Sequence, residues 1–477
     1  MSMTRRTDNA FTRIPTRKPV GSRLVTAGII LLAAITLGVT ALLAIGRLAL
    51  SDAIFFVAAP WALLAAVLRP DWLLVMLIAM PASFTSSIET KRVTALIAFA
   101  IAALVVTRRR ITLGLRTGLI ALVIVCVTGY LFHADVGQAA VDANQDVMLS
   151  LTYYILLTVL ALNLAVLGEL DGERLGTALV VGVATTLLLA LAGYGGAWFP
   201  TGPKIIFHTY LGWMAAAAVS VSLVRLLTAE VNRRLGHALV TGVLLSLTIL
   251  SVIRAAWIAA AITVTVIAVR SGRRGYAFIL LSVIALTLLV PTVRQEVSRS
   301  ESGDIVGQLR TGGITTGRWS LWTGLWHQAE TALPWGNGFG HIWSLSSEDL
   351  FGVPGQFGSQ ESGFVPPHSD FMYLFVEFGI PGVVLLAFFW LRLFRARNLL
   401  TRSAEPQSRQ SAWLLLGMLV TGLMVALVND LLLVRPFAER FFPVAGFVFG
   451  LSLVERKRSS ATLHTRDTRR GNPPSRA

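Results

Sequence analysis

The sequence has little of what metal and redox enzymes usually need. Its 477 residues include one cysteine, Cys126, which excludes an internal disulfide and argues against a cysteine-ligated metal. The chain also lacks a Walker loop and the HExxH, CxxC and GxSxG motifs. Charged residues make up only 14% of it. We therefore predict neither a metal site nor a cofactor.

What the sequence has instead is a series of long apolar runs. Hydrophobic residues make up 55% of the chain, and runs long enough to cross a bilayer recur from Leu24 to Val454. The first run is too long for a cleaved signal peptide, and further runs follow it. This pattern predicts an all-α, polytopic transmembrane helical bundle of about 14 spans. The predicted helices cover residues 24–45, 50–68, 72–88, 93–107, 117–133, 148–168, 175–193, 206–226, 238–253, 255–269, 276–291, 371–391, 412–433 and 441–454.

The net charge of +16 is a topology signal rather than a sign of nucleic-acid binding. With the N-terminus inside, 30 of the 41 Lys and Arg residues face the cytoplasm and 11 face outward. This bias matches the positive-inside rule. We expect a multi-pass protein of the cytoplasmic (inner) membrane with both termini in the cytoplasm, and no nucleic-acid partner.

One apolar run, residues 238–269, contains a single charge, Arg254. As one helix it would be about 48 Å long, whereas the hydrocarbon core is about 30 Å thick. Two short helices with Arg254 at the outer turn place 15 of the downstream basic residues inside and six outside, whereas one long helix reverses these numbers. The two-helix interpretation is therefore preferred.

The predicted domain organisation has five parts. Residues 1–23 and 455–477 are basic cytoplasmic tails that we expect to be disordered. Residues 24–291 hold transmembrane helices 1–11, and residues 371–454 hold helices 12–14. Between them, residues 292–370 form one large extracytoplasmic loop with eight acidic and four basic residues.

Within this loop, residues 317–333 have a helical pattern suited to the membrane interface. Its stripe consists of Trp319, Trp322, Trp326, Ala329 and Leu333. A glycine-rich turn is predicted at 334–343, followed by an irregular segment, 344–366, that would serve as a lid. We expect the sequence Ile380-Pro381-Gly382 to kink the next helix.

Five residues near the outer boundary are candidates for chemistry. Arg254 and Arg318 are cations that would suit a phosphate group, although Arg254 would equally suit a structural ion pair and Arg318 an ordinary solvated site. His368 is the candidate base, since a histidine accepts a proton near neutral pH. Asp370 and Glu377 would orient it, act as the base themselves, or, in the case of Asp370, simply cap a helix.

Other outer polar residues are weaker candidates for substrate binding. Lys204 lies directly before a predicted span, and His208 follows it. Arg435 and Arg440 flank Glu439 closely enough in sequence to pair with it. The adjacent acidic residues 348–349 do not by themselves indicate a metal site.

Four segments resemble the O-antigen ligase and polymerase superfamily of bacterial membrane proteins. TGRWSLW (316–322) with LPWGNGFG (333–340), and PHSDFMYLFVEFGIPG (367–382), are similar to two of its motifs. SVIRAAW (251–257) and KIIFHTYLG (204–212) are similar to two more. Ser369 stands where that superfamily has asparagine, and Lys204 where it has arginine.

The resemblance implies a function as well as a fold. It implies an inverting, metal-independent glycosyltransferase whose donor is a glycan on undecaprenyl pyrophosphate. Arg254 and Arg318, with Lys204, would hold the pyrophosphate, and His368 would activate or position the acceptor hydroxyl. Glu377 and Asp370 would support His368. The acceptor, a glycan, lipid or protein, stays open.

Two alternatives remain at this point. The chain would also suit a polysaccharide polymerase of the same superfamily, which the motifs do not separate from a ligase. A flippase or transporter of lipid-linked oligosaccharides would have a similar number of spans. Such transporters often contain repeated halves, and no internal repeat is visible here.

Overall fold

The computed structural model describes residues 68–80, 138–191, 209–251, 253–272, 318–345, 368–429, 431–432 and 435–470. The described residues from Arg69 onward belong to one compact unit. The predicted tail at 1–23, the predicted lid at 344–366 beyond Leu345 and the predicted spans at 24–45, 93–107, 117–133 and 276–291 lie outside the described residues.

Within the described ranges every regular element longer than a single bridge is an α-helix. The helices are α1 (Pro70–Ala79), α2 (Gln138–Leu167), α3 (Gly172–Leu191), α4 (Thr209–Thr228), α5 (Val231–Leu250), α6 (Arg254–Arg270), α7 (Arg318–Glu330), α8 (His341–Ser344), α9 (Asp370–Thr401), α10 (Pro406–Leu414), α11 (Leu416–Val428) and α12 (Arg435–Arg470).

Six stretches of these helices are long and apolar enough to cross a membrane. They lie in α2, α4, α5, α9, the α10–α11 pair and α12. The all-helical membrane class is therefore confirmed. The count of 14 spans stays a prediction.

The long apolar run around Arg254 is broken into two helices, as predicted. α5 ends at Leu250, Ile253 has extended backbone angles (φ −92°, ψ 100°), and α6 begins at Arg254. The indole N–H of Trp257 reaches back to the carbonyl of Thr248, at 2.9 Å. In one continuous helix these residues would be about 13 Å apart along the axis, so the contact requires the chain to turn.

Contacts between helices define two ends of the bundle. At one end, here called the Arg174 end, Arg225 near the end of α4 pairs with Glu173 at the start of α3 (2.8 Å). Gln410 of α10 donates to the same Glu173 carboxylate (3.3 Å). Arg174 itself lies 3.5 Å from Asp71 at the start of α1.

The opposite end, here called the His368 end, contains the predicted site region. α4 ends and α10 begins at the Arg174 end, and farther from that end Ser220 of α4 donates to the carbonyl of Leu414 (2.6 Å) and accepts the N–H of Gly417 (2.9 Å). α4 and the α10–α11 pair therefore run antiparallel. The start of α4 and the end of α11 therefore lie together. α9 starts there too, since Leu432, just after α11, donates to Asp370 (3.1 Å).

Small residues let several helices approach closely. A Cβ atom added at Gly446 or Gly450 of α12 would collide with backbone carbonyls of Thr158 and Leu162 in α2. Small residues at such positions are typical of helix packing in membranes, where close van der Waals contact drives association. The α2–α12 pair is one of the most extensive helix contacts in the described chain.

The C-terminal tail departs from its prediction. The sequence predicts a disordered tail at 455–477, whereas α12 continues to Arg470. Glu455 is buried, and Arg458 one turn later pairs with Glu405, which precedes α10. These contacts and a run free of Gly and Pro extend the helix past the apolar part of α12. Residues 471–477 lie outside the described chain.

Candidate functional site

The start of α9 is fixed by two short polar side chains. Ser369 is the N-cap, and its hydroxyl accepts the N–H of Met372 at 3.4 Å. Asp370, only 1% exposed, accepts the N–H of Leu432 at 3.1 Å. Asp370 therefore ties α9 to the segment after α11, as a capping-type carboxylate would.

His368 lies directly before this cap and is half-buried. Its backbone is left-handed, with φ 51°, a conformation in which histidine is among the enriched non-glycine residues. The capped helix start follows at once, so the backbone on the C-terminal side of His368 is fixed.

α9 is kinked at its tenth residue, Gly379, as predicted for this part of the helix. Gly379 has non-helical angles (φ 62°, ψ −146°), and Pro381 has no N–H to donate. In a regular helix the carbonyls of Val376 and Glu377 would accept from Ile380 and Pro381. Ile380 instead donates to the carbonyl of Pro334, at 3.0 Å. The kink therefore leaves two carbonyls of α9 open to another segment.

The glycine-rich turn between α7 and α8 fills these two positions. The N–H of Asn337 donates to the carbonyl of Val376 at 2.9 Å, and that of Gly338 to the carbonyl of Glu377 at 3.0 Å. Gly336, Gly338 and Gly340 have positive φ angles of 82°, 97° and 95°, which side chains rarely adopt. Two consecutive backbone hydrogen bonds thus join the turn to the kinked part of α9.

The turn and the kink touch so closely that glycine is required on both sides. A Cβ atom at Gly336 would lie 2.6 Å from the carbonyl oxygen of Glu377. A Cβ atom at Gly379 would lie 2.7 Å from the N of Gly336 and would overlap the carbonyl of Pro334. Backbone atoms cannot move aside as a side-chain tip can, so both contacts exclude larger residues.

Glu377 joins the same two segments through its side chain. It is fully buried, and its carboxylate accepts the N–H groups of Gly340 and of Ile342, the latter at 2.9 Å. These two donors belong to the start of α8, which would otherwise be unsatisfied. From the sequence, Glu377 is expected to orient His368 or to act as the base at the substrate, but in this structure its carboxylate oxygens accept backbone N–H groups.

Helix α7 packs on the first half of α9. Its buried face consists of Leu321, Leu325 and Ala329, which cluster with Tyr373 and Val376. This buried face shares Ala329 with the predicted tryptophan stripe, and Trp322 of that stripe packs against the same cluster. α7 thus buries aliphatic residues against α9 and leaves Trp322 and Trp326 at the margin of this contact. Trp326, for example, is 49% exposed and stacks on Phe375 at 4.9 Å.

The direction of α7 brings its first residue, Arg318, toward the His368 end. Trp326 meets Phe375, and Pro334 meets Ile380, so residue numbers rise together along α7 and α9. Arg318 therefore begins α7 on the side where α9 begins. Its side chain is not among those described.

Arg254 reaches this end on a different helix. It is the first residue of α6 and is half-buried. The turn before it is held by Ser251, whose hydroxyl donates to the carbonyl of Thr248 at 2.6 Å. α6 packs on α4 and α11, and α11 also packs on α9. Arg254 thus shares the His368 end but lies across α11 from the α7–α9 unit.

Gly212 of α4 offers a test of how this turn is positioned. A Cβ atom at Gly212 would overlap the side chain of Ser251. Replacing a helical Gly with Ala should stabilise by about 1 kcal/mol from propensity alone, whereas overpacking costs about 1–3 kcal/mol. We expect Gly212→Ala to lower the thermal unfolding midpoint in detergent micelles.

The matched control is Gly236→Ala in α5, where an added Cβ atom meets nothing within 4 Å. That variant should keep or raise the midpoint, because only propensity acts. Equal stabilisation by both substitutions would show that Gly212 does not hold the Ser251 turn in place.

The predicted site residues thus divide into three groups. His368, Asp370 and Glu377 lie on or next to α9, with Arg318 at the start of the helix packed on it, and Arg254 lies at the same end on α6. Lys204 and His208 lie outside the described residues. A further set was missed by sequence analysis, although the PWGNGFG segment signals part of it. It consists of Gly336, Gly379 and Asn337. The side-chain amide of Asn337 donates to the carbonyl of Gln328 (3.1 Å), in addition to the bond made by its backbone N–H.

Comparison with known proteins agrees with the motifs. Residues 239–387 match the family model described as O-antigen ligase. This is about a third of the chain, and it includes Arg254, Arg318 and His368 but not Lys204 or His208. No curated protein matches the chain significantly. The predicted resemblance is thereby confirmed over residues 239–387, where the chain is similar to the O-antigen ligase family.

Proposed function

We propose that the protein is a membrane glycosyltransferase that moves a glycan from an undecaprenyl-pyrophosphate donor to an acceptor hydroxyl. The reaction would take place at the outer face of the cytoplasmic membrane, without a metal and with inversion at the anomeric carbon. The observation that carries the proposal is the interlock between two motif segments, 333–340 and 367–382, the second of which begins at the same end of the bundle as Arg254.

The reaction assigns one role to the arginines. The acceptor oxygen forms a bond to the anomeric carbon, and the bond from that carbon to the pyrophosphate oxygen breaks. Negative charge grows on the departing pyrophosphate, so fixed cations stabilise the transition state more than the ground state. Arg254 and Arg318 are assigned to this charge, since guanidinium groups donate paired hydrogen bonds to phosphate oxygens.

His368 is assigned to the acceptor. A neutral imidazole takes the hydroxyl proton as the new bond forms, and the proton then leaves to water. Its place directly before the capped start of α9 supports this assignment, because a general base needs a fixed position. Asp370 and Glu377 act as positioning residues, since both carboxylates accept backbone N–H groups.

The test is glycan transfer in membranes that contain single variants. We expect Arg254→Ala, Arg318→Ala and His368→Ala each to reduce transfer at least about 100-fold, as loss of a charge-stabilising donor or a general base does elsewhere. Arg270→Ala is the control for Arg254→Ala, because Arg270 ends the same helix at the Arg174 end and is exposed. Normal transfer by all three variants at normal protein levels would refute the proposal.

The lipid-linked glycan that accumulates when the protein is absent separates the alternatives. Long chains on the outer face indicate a ligase, and single repeat units on the outer face indicate a polymerase. Units trapped on the inner face would indicate a flippase and would contradict a transferase.

A further inference from the structure

A pocket opens at the Arg174 end, far from the residues assigned to transfer. It lies where α4 turns into α5, and the start of α3 forms its third wall. The polar residues that line it are Glu173, Arg225, Thr228, Glu230, Arg233 and His237.

Some of these polar side chains pair with other residues of the protein, and the others do not. Arg225 donates to the carboxylate of Glu173 at 2.8 Å and to the hydroxyl of Thr177 at 2.5 Å. By contrast, the side chains of Glu230, Arg233 and His237 make no hydrogen bond or ion pair with any other residue in the described part of the chain. One anionic group and two basic groups therefore face the same opening without a protein partner.

The pocket lies at the junction of two helices that are long and apolar enough to cross a membrane. The apolar stretch of α4 ends at Thr228 and that of α5 begins at Val231, so the pocket surrounds the junction of two spans. Val231 and Leu235 on the first turns of α5 are 79% and 72% exposed. Such side chains at a span boundary are suited to contact with acyl chains.

We propose that this pocket binds a phospholipid headgroup that carries both a phosphate and a primary amine. Arg233 and His237 bind the phosphate, and Glu230 binds the ammonium group. The paired signs within one opening favour a zwitterionic headgroup over a purely anionic one, since Glu230 would repel a second negative charge. The bound lipid would pack against the α4–α5 junction.

The experiment measures the lipid that remains bound to the full-length protein. The protein is equilibrated in mixed micelles with equal phosphatidylethanolamine and phosphatidylglycerol, and bound lipid is counted by native mass spectrometry. We expect Arg233→Ala/His237→Ala to reduce bound phosphatidylethanolamine about tenfold, through loss of charge-assisted hydrogen bonds. Arg234→Ala is the charge-matched control, because Arg234 follows Arg233 but does not line the pocket. Equal retention by the double variant and the wild type would overturn the proposal.

Two further arms test the chemistry. Glu230→Gln should shift the bound lipid toward phosphatidylglycerol, because the ammonium partner is lost. An unchanged lipid ratio would overturn the assignment of the amine. Inorganic phosphate should leave the bound lipid in place, whereas displacement by phosphate would show a site for a soluble anion instead of a lipid.

Discussion

Glu377→Ala should release the glycine-rich turn from α9. The substitution leaves the N–H groups of Gly340 and Ile342 buried without their acceptor. Each unsatisfied buried donor costs about 1–3 kcal/mol, so the docked state loses about 2–6 kcal/mol. We expect amide hydrogen exchange at both positions to accelerate at least about 30-fold. Glycan transfer should fall as well, because α7 and α9 would no longer be held in one geometry.

Two other substitutions serve as comparisons for Glu377→Ala. Glu377→Gln should be intermediate, since an amide has one acceptor oxygen where the carboxylate has two. Glu330→Ala removes an exposed carboxylate of α7 whose partner is His327, and should leave exchange at Gly340 and Ile342 unchanged. Unaltered exchange at these amides in Glu377→Ala would mean that the turn is held without the carboxylate.

Local features of this region follow from the sequence. The kink in α9 is predicted from Ile380-Pro381-Gly382, because Pro381 removes a donor, and the non-helical angle itself lies at Gly379. The α7 helix and the glycine-rich turn after it are also confirmed. Each of these features depends on residues within a few positions of one another.

The interlock between the segments was not predicted, and the reason is physical. Asn337 and Val376 are 39 positions apart, and their pairing depends on which carbonyls the kink leaves open. Nothing in the local pattern of Glu377 distinguishes a carboxylate for substrate from one for backbone donors. The role of Glu377 as an acceptor for backbone N–H groups follows only from the position of α8 next to α9.

The tryptophan stripe illustrates a second limit. Helical periodicity correctly places Trp322, Trp326 and Ala329 near one face of α7, but it does not say which neighbour the helix meets. Leu321 and Leu325 are buried because α9 presents Tyr373 and Val376 to them. A pattern that suits the membrane interface therefore contributes partly to a protein contact.

Arg440→Met should destabilise the bundle strongly. Arg440 has no exposed surface although it lies in an apolar span of α12, and its guanidinium donates to the carbonyl of Met80 at the end of α1. Glu439 and Tyr153 lie close enough to interact with it electrostatically. Leaving a buried charge without a compensating neighbour costs about 3–5 kcal/mol. We expect a corresponding loss of stability in unfolding by denaturant from detergent micelles.

The double variant Arg440→Met/Glu439→Gln distinguishes a charge pair from simple packing. If the two charges stabilise each other, the double variant should be more stable than the two single effects predict, by about 1–3 kcal/mol. Arg458→Met is the control, since Arg458 pairs with Glu405 at an exposed site, where an ion pair contributes at most about 1 kcal/mol. Strictly additive single effects would argue against coupling. An ionisable residue within a span is by default a functional candidate, so transfer should be measured too. If Arg440→Met kept full stability and lost transfer, Arg440 would belong to the reaction, and its contact with α1 would be incidental.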